Sequence, residues 1–325
     1  IITAILTARI TPIRAAELLT EVADSVVKAM LPVAIKEVAR IAEPVRGEVA
    51  VLGLGKMGGR EMRLLSDLDI MLIYRPADGE ENAQRLYTKV TQRLVRALSA
   101  VTEEGGLYDV DMALRPSGRS GPVAVTVNAF ASYYAGKAWT WEYMALSRAR
   151  IVAASSKAFI TDLEPVVKSA LTAPRPDLNM PAHIGDMLRR TKAEKPPKNA
   201  WQVKSVDGGL RDIEFIAQSL FLTNRDAFYN AGCRSTVSMF DEALRQGLLT
   251  VKDCEALKDA ADFYHNVAQI VGVCFGTGYP ETTVDFEKLA DAMGFKSAQT
   301  LTSTYSAHRK KTARLTDVYV FNRMG

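Results

Sequence analysis

The stretch VLGLGKMGGREMRLLSDLDIMLIY, residues 51–74, decides how the first half of this chain folds. It opens on an apolar run, breaks into glycines at 53, 55, 58 and 59, and returns to an apolar run at Leu68–Tyr74. Gly53, Gly55 and Gly58 spell G-x-G-x-x-G, the fingerprint of a dinucleotide turn. That turn requires a crossover helix after the glycines and a carboxylate about 20 positions on, at the far end of the second strand. Only Arg60–Ser66 separate the glycines from the next strand, too little for a crossover that usually takes about a dozen residues. The far end reads Ile73-Tyr74-Arg75, with no carboxylate. The acidic residues, Asp67 and Asp69, sit at its head.

Residues i and i+2 of a strand project from one face, so Asp67 and Asp69 are expected side by side. Carboxylates that close repel each other unless a cation lies between them. Hard oxygen donors suit Mg²⁺, with phosphate oxygens completing its shell. A third strand, Tyr108–Leu114, carries Asp109 and Asp111 at the same spacing. Carboxylates on neighbouring strands can hold two metal ions, which activate an attacking oxygen and stabilise a leaving pyrophosphate. In this reading Gly58-Gly59 lets the backbone approach a phosphate, with Ser66 as a donor. Spacing alone leaves a plainer alternative open, in which Asp67 caps a strand and the glycines form an ordinary loop. Against it, three polar residues are costly at the head of a strand that enters a core.

The surroundings read as an α/β unit. Helix is expected over 14–43, where Leu18, Val22, Val26, Met30, Val33 and Ile41 recur at near-helical spacing. Strands are expected at Glu48–Leu54, Leu68–Tyr74, Tyr108–Leu114 and Val123–Val127, with a helix over 81–103 ended by Gly105-Gly106 and a turn-rich loop over Arg115–Pro122. After residue 128 the strand signals stop. Helices are expected at 128–135, 139–153, 157–171, 181–193, 209–224, 236–246, 251–273, 285–293 and 297–320. The division is drawn as 1–135, a nucleotide-handling domain with an N-terminal helix, and 136–325, a helical bundle.

The chain has 325 residues, 48% hydrophobic and 24% charged, enough for two ordinary domains. A net charge of +4 is too mild to argue for nucleic acid or membrane partners. No apolar run reaches the 18 or so residues of a membrane span. The start, Ile1-Ile2-Thr3-Ala4, lacks Met and reads as an internal cut. Cys233, Cys254 and Cys274 form no C-x-x-C pair and read as thiols of a reducing cytoplasm.

Four blocks carry a resemblance: LGLGKMGGREMRLLSDLDIMLIY, LYDVDMALRPSGRSGPVAV, AWTWEYMALSRARIVA and DGGLRDIEFIAQSLFL. G-G-x6-S-D-x-D followed by a later strand Asp resembles the nucleotidyltransferase superfamily that includes polymerase-β-like enzymes. Together the blocks resemble the glutamine-synthetase adenylyltransferases, whose two halves attach AMP to, and remove it from, a tyrosine of glutamine synthetase. The second and third blocks look more like the C-terminal, adenylylating half. The resemblance implies an α+β, polymerase-β-like domain with a small mixed sheet, followed by an all-helical bundle. It implies ATP as substrate, Mg²⁺ as cofactor, glutamine synthetase as protein substrate, and glutamine and the PII signal protein as regulators. It places the metal ligands at Asp67, Asp69 and Asp111, and the phosphate turn at Gly58, Gly59 and Ser66. The family usually has Arg two residues after the third Asp. Here that position is Ala113, which is expected to weaken ATP affinity, while Arg115 is kept. The alternatives are the phosphorolytic, AMP-removing half, or a glutamine- or PII-sensing module with an idle cleft.

Other residues read less sharply. Arg115 and Arg119 either grip phosphate oxygens or form a solvated basic loop. Trp141 follows helical spacing with Ala145, Ala149 and Val152 and is expected to pack. Glu142, Arg148 and Arg150 either form ion pairs or line the cleft. Asp207 is expected to cap a helix, and Asp212 and Glu214 to serve structural ion pairs. His183, His265 and His308 make no ligand pattern, and the run 308–311 reads as a solvated helix face.

Overall fold

In the computed structural model, which describes residues 1–7, 9–103 and 105–323, the two apolar runs of the opening stretch become adjacent strands. β1 (Glu48–Gly53) and β2 (Leu68–Arg75) pair antiparallel, from Glu48 opposite Arg75 to Gly53 opposite Ile70. After β2 come β3 (Val101–Thr102) and β4 (Gly105–Gly106), a separate two-stranded pair, then β5 (Val110–Asp111), β6 (Ala124–Thr126) and β7 (Arg150–Ala154). β5 and β6 both run parallel to β2, and β7 runs antiparallel to β1, giving a mixed sheet with β2 and β1 at its centre. Their side chains, Val49–Leu52 and Ile70–Tyr74, are buried on both faces. Each aliphatic side chain so buried contributes about 1.5–3 kcal/mol.

The helices of this unit are α2 (Pro12–Ile41), which follows the short α1 (Ile2–Leu6), then α3 (Gly55–Gly58), α4 (Ala83–Leu98), α5 (Val127–Gly136), α6 (Thr140–Leu146) and α7 (Lys157–Thr172). α4 buries Leu86, Tyr87, Val90, Leu94 and Leu98, one stripe at helical spacing. Thr126 and Ser156 accept from the third amides of α5 and α7, so the sequence marks where those helices begin. The second unit holds α8 (Met180–Glu194), α9 (Leu210–Thr223), α10 (Arg225–Asn230), α11 (Thr236–Arg245), α12 (Val251–Phe275), α13 (Thr283–Ala292) and α14 (Ala298–Tyr319), together with residues 1–19. Asn179, Ser235, Thr250, Thr282 and Ser297 cap five of these helices through their side chains. None of the helices among the described residues is long and apolar enough to cross a membrane.

The fold class is therefore the expected α+β, a small mixed sheet with helices plus a helical part, but several element boundaries differ from expectation, and α4 ends at Leu98, ahead of β3, instead of running to residue 103. The segment 139–153 is not one helix. α6 ends at Leu146, and β7 takes Arg150–Ala154 as a strand on the free edge of β1. The apolar spacing of Trp141, Ala145, Ala149 and Val152 mimics a helix, and the open sheet edge overrides it. Trp141 itself lies 36% exposed. β5 is also shorter than the expected Tyr108–Leu114, because its chain turns away after Asp111. With β7 drawn into the sheet, the first compact unit spans Thr20–Asp177 and the second takes 178–325 with 1–19, whereas the sequence placed the division at 135/136.

Candidate active site

The sheet register settles which aspartates meet. β2 and β5 lie side by side with Asp69 opposite Asp111. Parallel neighbours in register project their side chains to the same side, about 5 Å apart. One oxygen of Asp111, Oδ1, accepts from the backbone N–H of Ala113 at 2.7 Å, which fixes that carboxylate at the strand's end. Asp67 is exposed, one residue before β2 begins. Asp109 is exposed too, and its carbonyl accepts from Leu68 N at 2.8 Å, so it serves the ladder through its backbone. Among the described residues, no three acidic, Cys or His side chains are already gathered around one point that a metal ion fits. Asp69 and Asp111 are the pair the fold brings together, two hard oxygen donors whose mutual repulsion a divalent cation relieves.

The glycines divide their work differently from the expectation. Gly55, which the sequence reading left out of the phosphate turn, has φ +50, and a side chain there would overlap the Asp69 carboxylate. It is the position where the turn lies against the paired aspartates. Gly58 is glycine because a Cβ would collide with the carbonyl of Arg148. α3 is a single turn, closed by Gly58 N to Leu54 O at 2.7 Å and Gly59 N to Gly55 O at 3.1 Å. Leu54 N in turn donates to Asp69 O at 2.9 Å, which ties the turn to β2. Ser66 is buried, and its Oγ accepts from Arg63 N at 3.0 Å. Arg60 and Leu65 also sit at positive φ, 58° and 62°, so this connection is strained where it approaches the aspartates.

Arg115 is buried in its own loop. Its guanidinium donates to the carbonyls of Met112 at 2.7 Å, Pro122 at 3.0 Å, Gly121 at 3.0 Å and Arg119 at 3.3 Å. Burial lowers its pKa and the nearby Asp111 charge pulls it back up. The side chain thus shapes the 112–122 loop beside Asp111, while Arg119 is exposed.

Glu142, Arg148 and Arg150 prove to be ion-pairing and capping residues. Arg148 pairs with Glu61, both buried, and Arg150 donates to Asp24 Oδ1 at 2.6 Å and to Met57 O at 3.0 Å. Glu142 is fully buried in the first turn of α6. Its Oε2 accepts from Trp139 N at 2.9 Å and from the Tyr133 hydroxyl at 3.1 Å. Burial raises its pKa more than these bonds lower it. A raised folded pKa means its contribution to stability is present below the unfolded pKa and lost as pH rises through the folded value. Glu142→Gln should therefore remove part of the stability loss that the wild type shows as pH rises above the ordinary carboxylate range. Urea titrations of both proteins across that range check this. Parallel pH profiles would contradict it.

In the second unit the Asp207-Gly208-Gly209 turn is a packing knot. Gly208, at φ +69, packs on the Arg309 carbonyl, and its own carbonyl accepts from the Tyr264 hydroxyl at 2.7 Å. Buried Asp212 accepts from Lys192 Nζ and Gly208 N, both at 2.8 Å, the expected structural ion pair.

Residues 1–164, which contain the paired aspartates and the glycine turn, match the family model described as glutamate-ammonia ligase adenylyltransferase. The chain belongs to the glutamate-ammonia ligase adenylyltransferase family. Residues 179–320 match a second model, described as GlnD PII-uridylyltransferase. Among curated proteins, the chain is similar to bifunctional glutamine synthetase adenylyltransferase/adenylyl-removing enzymes. The one from Rhodopseudomonas palustris strain TIE-1 is 38% identical over 91% of this chain and 31% of its own length. That from Bradyrhizobium sp. strain BTAi1 is 40% identical over 70% of the chain and 24% of its own. That from Rhizobium meliloti strain 1021 is 38% identical over 83% and 28%. The chain spans about a third or less of the length of these relatives.

Proposed function

We propose that this chain is an adenylylating half: it transfers AMP from ATP to a tyrosine hydroxyl of glutamine synthetase and releases pyrophosphate. Family membership across residues 1–164 supports the reaction class. The observation that carries the site is the register of Asp69 against Asp111 with Gly55 packed on the Asp69 carboxylate. In this reading Asp67, Asp69 and Asp111 are the metal-binding and catalytic carboxylates, with Asp67 joining the pair when a cation is bound. Mg²⁺, one or two ions, supplies neutralisation of the triphosphate and of the charge that develops on the leaving pyrophosphate.

The remaining chemistry belongs to the protein. Gly58 and Gly59 hold the turn close enough for backbone amides to meet phosphate oxygens, and Ser66 keeps the connection compact. Arg115 contributes to nucleotide binding through the loop it shapes beside Asp111. The tyrosine oxygen forms a bond to the α-phosphorus as the bond to the β-phosphate bridge breaks. The phenol proton passes to Asp111, whose Oδ2 is not taken up by Ala113 N, and from there to solvent. Nothing in this scheme requires a covalent enzyme intermediate. The likeness of residues 179–320 to the PII-uridylyltransferase model supports PII as a regulator.

The test is label transfer. The chain, unmodified glutamine synthetase, Mg²⁺ and α-labelled ATP should place label on a synthetase tyrosine. Label that appears only as ADP, when adenylylated synthetase and phosphate are supplied, would assign the AMP-removing half instead. No metal-dependent ATP binding in calorimetry would point to an idle module.

A further inference from the structure

We propose that Arg150, together with Arg148, is a positioning residue of this site: the segment 148–150 clasps the glycine turn and holds it against Asp69. The proposal rests on the adenylyl-transfer reading above. β7 begins at Arg150, which lies opposite Gly53, the last residue of β1 before the turn. From that place the segment grips the turn at three points. The Arg148 carbonyl fills the space where Gly58 lacks a side chain. The Arg148 guanidinium pairs with Glu61, three residues further along. The Arg150 guanidinium donates to the carbonyl of Met57 and is anchored from behind by Asp24 on α2.

The turn needs such a grip. α3 has four residues, two of them glycine, and a helix that short does not sustain itself. Arg60 and Leu65 hold left-handed conformations that persist only where the surroundings enforce them. The β7 ladder bonds would form without any arginine side chain, so the guanidinium contacts add nothing that the strand itself requires. What they fix is the path of residues 54–61, and with it the backbone that abuts Asp69. A buried ion pair is weak evidence of stabilisation, and its use here is to specify one conformation of the turn.

Arg150→Met tests this. The Arg150 side chain is 18% exposed, so Met can keep the apolar stem and the fold. Two measurements are made on the folded protein well below its thermal midpoint. One is hydrogen exchange over residues 54–61, whose Gly58, Gly59 and Glu61 amides are bonded within the turn. The other is AMP transfer, with kcat and KM for ATP separated. Exchange in this segment should quicken at least about tenfold while distant segments stay unchanged, and kcat/KM should fall about 10- to 100-fold, as misplacing a reacting geometry does. Arg150→Lys, which keeps a charge for Asp24 and Met57, should recover part of both. Glu61→Gln, which weakens the companion pair with Arg148, should loosen the same segment if Arg150→Met fails to fold. Unchanged exchange, or faster exchange with unchanged kinetics, would overturn the positioning role. A wild-type chain that transfers no AMP, beside a variant whose turn exchanges faster, would sink the adenylylation reading and leave the clasp standing.

Discussion

Asp69→Asn is expected to cut AMP transfer by about 10³-fold while leaving the fold intact. Asn keeps the shape of the side chain and its place opposite Asp111 in the β2–β5 ladder. What it removes is one of two charges that the register forces together, and a triphosphate-bound cation needs both. Losing one electrostatic contact to a developing charge costs about 10²–10³ in rate, and loss of a metal ligand also weakens nucleotide binding. Relief of the repulsion between Asp69 and Asp111 should leave the thermal midpoint of the free protein equal or slightly higher. The further stabilisation that Mg·ATP gives the wild type, which grows as RT ln(1 + [L]/Kd), should be lost. Label transfer and melting curves with and without Mg·ATP read all three effects. Transfer within tenfold of wild type would remove Asp69 from the site.

Gly55→Ala should lower kcat/KM by about 100-fold, more than its cost in stability accounts for. Gly55 sits at φ +50, where an L-residue costs about 1–2 kcal/mol. Its new methyl group would also occupy the space of the Asp69 carboxylate, so that carboxylate must shift from its place. A displacement of about 1 Å at a reacting centre can cost 10²-fold. Gly79→Ala is the matched control. It has φ +73 but nothing within 4 Å of the added Cβ, so the same backbone strain arises far from the aspartates. It should lose a similar amount of stability and no activity. Equal activity of the Gly55 and Gly79 variants would show that the turn's contact with Asp69 is irrelevant to the reaction.

Much of the candidate site was legible because the pattern that suggests it is local. Asp67, Ser66 and Asp69 stand within four consecutive positions, and polar residues at the head of a buried strand are costly enough to demand a reason. The glycines were legible as a turn but not as to task. Gly53, Gly55 and Gly58 differ in what lies next to each, the Asp69 carboxylate for Gly55 and the Arg148 carbonyl for Gly58, and neither neighbour is adjacent in sequence. Arg115 looked like a phosphate ligand because a guanidinium in a turn-rich loop fits one. Its engagement with the carbonyls of residues 112–122 depends on how that loop closes. No pattern in the sequence distinguishes a guanidinium that grips phosphate from one that grips its own backbone.

Periodicity and turn chemistry by themselves determined the central pair of strands, most helices of the second unit, and the presence of carboxylates at the head of β2 and in the next strand. These follow from contacts a few residues apart, where propensity and side-chain spacing act directly. The tertiary structure alone decided that Asp111 faces Asp69, that Arg150–Ala154 is a strand, and that Arg148 and Arg150 reach back to the glycine turn. Each of these pairs residues far apart in the chain, and only the docking of one sheet edge on another selects such partners.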